Sequence, residues 1–302
     1  MVDRVSTSML FDRGINSMLE LQSALGRAQL QISSNKRILA PRDDPPGAAH
    51  VLNLRSVMAQ VEQYQSNADQ ARARLELQEA SLKGMDDMLP RILDLTLQGM
   101  NDTYSPAARQ AIADELRQLN DELMSLANTK DSNGEYIFAG YDAESAPFSN
   151  PADGVFAYSG DMGTRSLQIS ATRQVQDREN GFDVFMNVGT AAGGTRNIFE
   201  TVHGVIAGLE ADAPNGAFID DLRMAHEHIV AVRARGGASL NSIEDQKLVN
   251  EDFIFTMERS RSEIEDLDMA EALSRFEQDL VALQAAQQTF NKVQGLSLFN
   301  YL

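Results

Sequence analysis

From Leu54 to Ile92 the apolar positions fall at Leu54, Val57, Val61, Tyr64, Ala68, Ala71, Leu75, Gln78, Leu82, Met85, Leu89 and Ile92. The spacing alternates three and four throughout, which keeps one seam of a helix facing a partner helix. Gln78 is the one frankly polar member. At 1.5 Å per residue this predicts a rod roughly 57 Å long, with Pro90 placed to kink or stop it near its end. A second helix is predicted from Ile112, Leu116, Leu119, Leu123 and Leu126, with Ser105 as N-cap and Pro106 at its first position. The loop before it, Asn101 to Tyr104, is short enough for the two helices to fold back antiparallel.

Both ends carry related patterns. Near the start Phe11, Ile15, Met18, Gln22, Leu25, Gln29 and Ile32 share the three-four spacing. Near the finish Leu273, Phe276, Leu280 and Leu283 do so, before the register shifts through Ala286 to Phe290 and Val293. The C-terminal helix is expected to begin near Ser242, with Asp245 in a capping-box-like position. Gln22, Gln29 and Gln287 dilute these stripes, and a polar seam position costs stability while specifying pairing. The N-terminal stretch is also marginal as an isolated helix. Both arms therefore read as surfaces that want partners, with an assembly interface at Phe11, Ile15, Met18, Leu25, Ile32, Leu273, Phe276, Leu280, Leu283, Phe290 and Val293.

The middle changes period. Asn133-Gly134 followed by Tyr136-Ile137-Phe138 and Gly140 predicts a turn into a strand. Phe156 to Tyr158 and Arg165 to Ser170, joined through Gly160-Asp161-Met162-Gly163, predict a hairpin. Phe182 to Val188 alternates like a strand and runs into the Gly-rich stretch Gly189 to Gly194. Helices resume with Ile198, Val202, Val205 and Leu209, and again from Phe218 to Val232. A loop is expected over Arg233 to Ala238, around Gly236-Gly237. The fold class is thus α+β and mainly α: a long antiparallel helical or coiled-coil core formed by N- and C-terminal arms, with a central β-rich domain inserted. The expected divisions are an N-terminal assembly arm (1–46), long core helices (47–130), a β-rich outer domain (131–196), returning helices (197–241), and a C-terminal core helix with its assembly arm (242–302).

Composition narrows the function. With 26 basic and 44 acidic residues the net charge is −18, poorly suited to neutralising nucleic-acid phosphates and unfavourable on anionic membranes. The absence of cysteine excludes disulfides, a thiolate nucleophile and Cys-ligated metals. No stretch approaches the roughly 20 apolar residues of a membrane span. The opening MVDRVSTSMLFDRG lacks the charge, apolar length and small-residue site of a cleaved signal peptide.

Candidate chemistry is thin. His226 and His228 sit two apart in a helical pattern and point to different faces, so they cannot chelate one ion. Asp131, Asn133 and Glu135 have the alternation of a calcium loop but lack its glycine and closing glutamate. Gly189 to Gly194 lacks the Gly-Lys-Ser/Thr ending of a phosphate loop, and no serine sits in a nucleophile elbow. The expectation is a non-enzymatic protein with no cofactor and no metal.

One string remains. Arg37-Ile38-Leu39-Ala40-Pro41-Arg42-Asp43-Asp44-Pro45-Pro46-Gly47-Ala48-Ala49 reads as a helix-breaking connector, with Asp44 as N-cap and Pro45 as first helical residue. Taken whole, and preceded by Gln31 to Lys36, it closely resembles the N-terminal signature of the flagellin superfamily, and within it the hook-filament junction (FlgL) type. Ala285-Ala286-Gln287-Gln288-Thr289-Phe290 and Gly295-Leu296-Ser297-Leu298-Phe299-Asn300-Tyr301-Leu302 are similar to that family's C-terminus. Asn133 to Gly140 matches the point where its helical core enters the outer domain. The likeness covers roughly the first 140 and last 60 residues and is weak between them. Asn35 stands where the family usually has Gly, though Asn tolerates a left-handed turn nearly as well, and Pro46 adds a second proline.

The resemblance implies a flagellar subunit, extracellular and exported unfolded without a cleaved peptide. It would form a ring of its own copies, with a neighbouring hook-associated protein on the hook side, flagellin on the filament side, and an export chaperone. The terminal arms would line the inner tube while the β-rich domain faces outward. The rival readings are flagellin itself and a secreted coiled-coil adhesin.

Overall fold

The structure, a computed structural model, describes residues 7–299, with side chains at Met9 and from 11 to 292. It is mainly helical: α1 (Thr7–Ser34), α2 (Pro45–Gly99), α3 (Pro106–Ala127), α4 (Ile198–Glu210), α5 (Ala217–Glu265) and α6 (Met269–Phe299). Three small antiparallel hairpins lie between α3 and α4. The chain divides into two compact units, residues 61–252 and residues 1–60 with 253–302. No helix among the described residues is long and apolar enough to cross a membrane.

In the unit formed by 61–252, the seam predicted on α2 is buried at Ala68, Ala71, Leu75, Leu82, Met85, Leu89 and Ile92. The Ser105 hydroxyl accepts from the Ala108 amide at 3.3 Å, with Pro106 opening α3. Leu82, Leu89 and Ile92 share one core with Leu116 and Leu123 of α3 and with Val202, Val205 and Leu209 of α4. Pro90 does not stop α2. It lies on the exposed side, where its missing N–H costs a bond rather than the helix.

The central segment departs from its predicted pairing. β1 (Phe148–Ala152) pairs with β2 (Val155–Tyr158), β3 (Ser166–Gln168) with β4 (Gln174–Gln176), and β5 (Val188–Gly189) with β6 (Thr195–Arg196). The two runs expected to form one hairpin therefore belong to different ones. Phe182–Met186 forms a π-helix rather than a strand. Val184 and Phe185 are neighbours and both buried, which a strand with one core face cannot accommodate. The segment also encloses no core of its own. Phe138 packs on Phe185 at 4.9 Å between centroids, Phe148 on Phe185 at 5.2 Å, and Phe148 on Phe199 of α4 at 5.6 Å.

Gly236-Gly237 is helix, not loop: α5 continues through it. Each glycine costs about 1 kcal/mol relative to Ala in a helix, and burial of Val232 on one side and Ile243 on the other outweighs that. The C-terminal helix breaks later instead. α5 ends at Glu265, and the Asp268 carboxylate caps α6 by accepting from the Ala270 and Glu271 amides at 3.0 and 3.1 Å.

Candidate assembly interface

The second unit, residues 1–60 with 253–302, contains two helix breaks and binds them together. At the first, Asn35 takes the left-handed conformation (φ 55°) that closes α1. Asp44 caps α2, accepting from the Gly47 amide at 3.0 Å, with Pro45 as first helical residue. A Cβ on Gly47 would crowd the Asp44 carboxylate and sit 2.9 Å from Ile38 Cδ1, so a larger residue there would push those side chains aside. Arg37 spans the two breaks. Its amide donates to the Glu265 carbonyl at 2.8 Å, and its guanidinium donates to the Ile264 carbonyl at 2.8 Å and to Asp44 at 3.1 Å. It thereby satisfies carbonyls at the C-terminus of α5, where a cation is also favoured by the helix dipole. The Leu267 amide returns a bond to the Asn35 carbonyl at 3.2 Å.

Buried Glu265 takes Lys36 and Arg55, each at 2.6 Å. Burial pushes its pKa up, but the bonds from Lys36 and Arg55 outweigh that and hold it below the usual glutamate range. Asp44 is likewise held low, by the Gly47 amide first and Arg37 second. The signature string is therefore a latch between two helix ends.

From this latch α1 and α6 run antiparallel along each other. Phe11 meets Phe290 edge-on at 5.4 Å, and a Cβ on Gly14 would touch the Phe290 ring at 3.3 Å. Half-burial on α1 falls at Phe11, Gly14, Met18, Leu21, Leu25, Ala28 and Ile32, and beside them at Gln31. On α6, buried or half-buried positions fall at Ala272, Phe276, Asp279, Leu283, Ala286 and Phe290, with no shift of register. The predicted seam is correct at alternate layers and displaced by one residue at the others. Gly14, Leu21 and Ala28 replace Ile15, Gln22 and Gln29, while Ala272 and Asp279 replace Leu273 and Leu280. Gln22, Gln29 and Gln287 are exposed and do not dilute the seam; its polar member is Asp279.

The predicted interface residues thus divide. Phe11, Met18, Leu25, Ile32, Phe276, Leu283 and Phe290 close the α1/α6 pair, while Ile15, Leu273 and Leu280 point out of it. Val293 lies outside the described side chains. Beside Ile15 on one flank of α1 are Leu19 and Leu30, which sequence reasoning missed, and Leu30 is 61% exposed. Leu273 and Leu280 lie on the same-handed flank of α6, with Leu280 40% exposed. Antiparallel packing brings same-handed flanks to one face of a pair. The pair therefore has an apolar face of Ile15, Leu19, Leu30, Leu273 and Leu280. Its opposite face carries Arg13, Ser17, Gln31, Glu271, Arg275 and Gln278. Exposed apolar side chains gathered on one face of a helix pair are the kind of surface that a partner can cover.

The candidate chemical residues occupy structural pairings. His226 Nε2 lies 2.7 Å from Asp86, and His228 Nε2 lies 3.0 Å from the Asp183 carbonyl. Asp131 accepts from the Asn133 and Glu135 amides at 2.8 and 3.0 Å, closing a turn that needs Gly134 at φ 83°. Among the described residues no three metal-ligating side chains converge.

The family of the bacterial flagellin N-terminal helical region matches residues 5–143. Along 98% of both chains, the sequence is 29% identical to flagellar hook-associated protein 3 of Escherichia coli K12. It is 27% identical to the protein of that name in Salmonella typhimurium LT2, over the same shares. A crystal structure of flagellar hook-associated protein 3 from Legionella pneumophila superposes with a TM-score of 0.66 at 18% identity, covering 71% of this chain and 98% of that one, and so shares its fold.

Proposed function

We infer that this chain is a structural subunit of the bacterial flagellum of the hook-associated protein 3 type, joining hook to filament. The observation that carries the assembly role is the exposed apolar face of the α1/α6 pair, in a chain of net charge −18. Copies of the chain close into a ring through Ile15, Leu19, Leu30, Leu273 and Leu280, with the seam residues fixing the pair that presents them. For the contact to close into a ring, this face on one copy meets a different surface of the next. A neighbouring hook-associated protein meets the ring on the hook side and flagellin on the filament side.

Before export the same apolar residues need cover, which is the work of a chaperone. The subunit acts outside the cell and reaches it without a cleaved signal peptide. It works without catalysis or a cofactor, His226, His228 and the buried carboxylates Asp177 and Glu265 being engaged in structural pairs.

Deleting the gene and imaging the cells by electron microscopy tests the junction role. Hooks without filaments, with flagellin shed into the medium, are the expected result. Intact flagella would overturn the proposal, and filaments lost while the junction persists would instead identify a filament subunit. Leu280→Asp tests the face itself. Because Leu280 is exposed, the variant should fold with nearly unchanged stability yet fail to join hook to filament; normal flagella from it would remove Leu280 from the interface.

A further inference from the structure

Gln78 is the one polar member of the long α2 seam, and the assembly role leaves it unexplained. It is 2% exposed, and its side-chain oxygen accepts the Glu179 amide at 2.8 Å. Arg235 of α5 lies 3.6 Å from the Glu179 carboxylate. The next two residues of α5 are Gly236 and Gly237. On one side of this layer, Leu82 and Val232 belong to the main core. On the other, Ala71, Leu75 and Ile243 belong to a separate small cluster. Apolar packing is therefore interrupted where α5 carries two adjacent glycines.

Glycine inside a helix usually answers a need for positive φ or for close approach. Neither applies here. Both residues are helical, and a Cβ added at either would meet nothing within 4 Å. What two glycines still supply is a backbone with less helix propensity than its flanks. A polar layer beneath them withholds the packing that would otherwise hold the helix straight.

We propose that Gly236-Gly237, set over the Gln78–Glu179–Arg235 layer, forms a flexural joint in α5 at which the helix opens locally while the clusters on either side stay packed. Its use at a junction between two tubes rests on the function inferred above, but its existence does not.

Hydrogen exchange on the full-length monomer tests the joint directly. Amides at 234–241 should exchange at least tenfold faster than those at 226–232 and 244–250, because opening there breaks few buried contacts. In Gly236→Ala/Gly237→Ala, which has room for both methyl groups, exchange at 234–241 should slow by roughly thirtyfold, the two propensity differences combined. Gln78→Met, which connects the two apolar clusters, should slow the same amides. Uniform protection along 226–250 in the parent chain overturns the joint. So does an Ala-Ala variant with a higher melting temperature but an unchanged local pattern. Unchanged exchange in Gln78→Met removes the polar layer from it.

Discussion

Two carboxylates show how single residues hold this chain together. Asp177 is fully buried, with its Oδ2 atom 2.7 Å from Arg74 and 2.8 Å from Arg165. Removing one partner of a buried charge network leaves the others uncompensated, typically costing 3–5 kcal/mol. Burial outweighs those attractions and raises the Asp177 pKa, and Arg74 also lies near Asp131 and Glu135. Asp177→Asn should therefore lower the urea midpoint of the unit containing it by less than that range. Glu265 gives a pH dependence. Its folded pKa is depressed, so its contribution is present above the ordinary glutamate value, about 4.3, and is lost as pH falls through the folded value. Asp44 and Asp161 act in the same direction. Urea midpoints measured between pH 7 and pH 3 should fall with acid, and Glu265→Gln should flatten part of that fall. Tyr158 acts at the other end. Burial pushes its pKa up to about 12, so folding favours the neutral phenol and stability declines as pH rises above about 10.

At the scale of elements, the register of α1 on α6 is the sharpest prediction. Leu21→Asp places a charge in the closed seam and should cost about 2–4 kcal/mol of pair stability, read as lost helicity by circular dichroism. Gln22→Leu, one residue on, should leave the monomer's helicity unchanged. The reverse result would restore the register expected from the sequence. That register was misread for a physical reason. Gly14, Ala28, Ala272 and Ala286 contribute little hydrophobic signal although they let the helices approach, whereas Ile15, Leu273 and Leu280 contribute strong signal although they face out. Where large apolar side chains stay exposed in the single chain, hydrophobicity and burial part company. On α2 they coincide, because its seam of Leu, Met and Ile is closed by the chain's own helices, and that element was legible residue by residue. The caps at Asp44 and Ser105 were legible too, since capping is settled within one turn. The π-helix at Phe182–Met186 was not, because its apparent alternation hides two adjacent buried residues.

At the scale of the whole molecule, the residues facing the seam and those facing out should separate in experiment. Leu30→Asp, on the outer face, should melt like the parent but give hooks without filaments. Leu283→Asp, in the seam, should lower the melting temperature and abolish assembly together. A melt of Leu30→Asp several degrees below the parent would place Leu30 inside the folded pair rather than outside it. The sequence resemblance located the function, but not this division, because the two kinds of apolar residue look alike until the register is known.

The pairing of Phe11 with Phe290 also has a consequence in time. Its two halves lie near opposite ends of the 302 residues, whereas the unit of residues 61–252 is built from a continuous stretch. Contacts between distant parts of a chain pay the full loop-closure entropy before they gain anything, so they form late. A chain emerging from its N-terminus can fold the continuous unit while α1 still waits for α6. The face of Ile15, Leu19, Leu30, Leu273 and Leu280 then comes into being only once α6 has been made and has folded back, so a new chain can carry its folded continuous unit before that face exists.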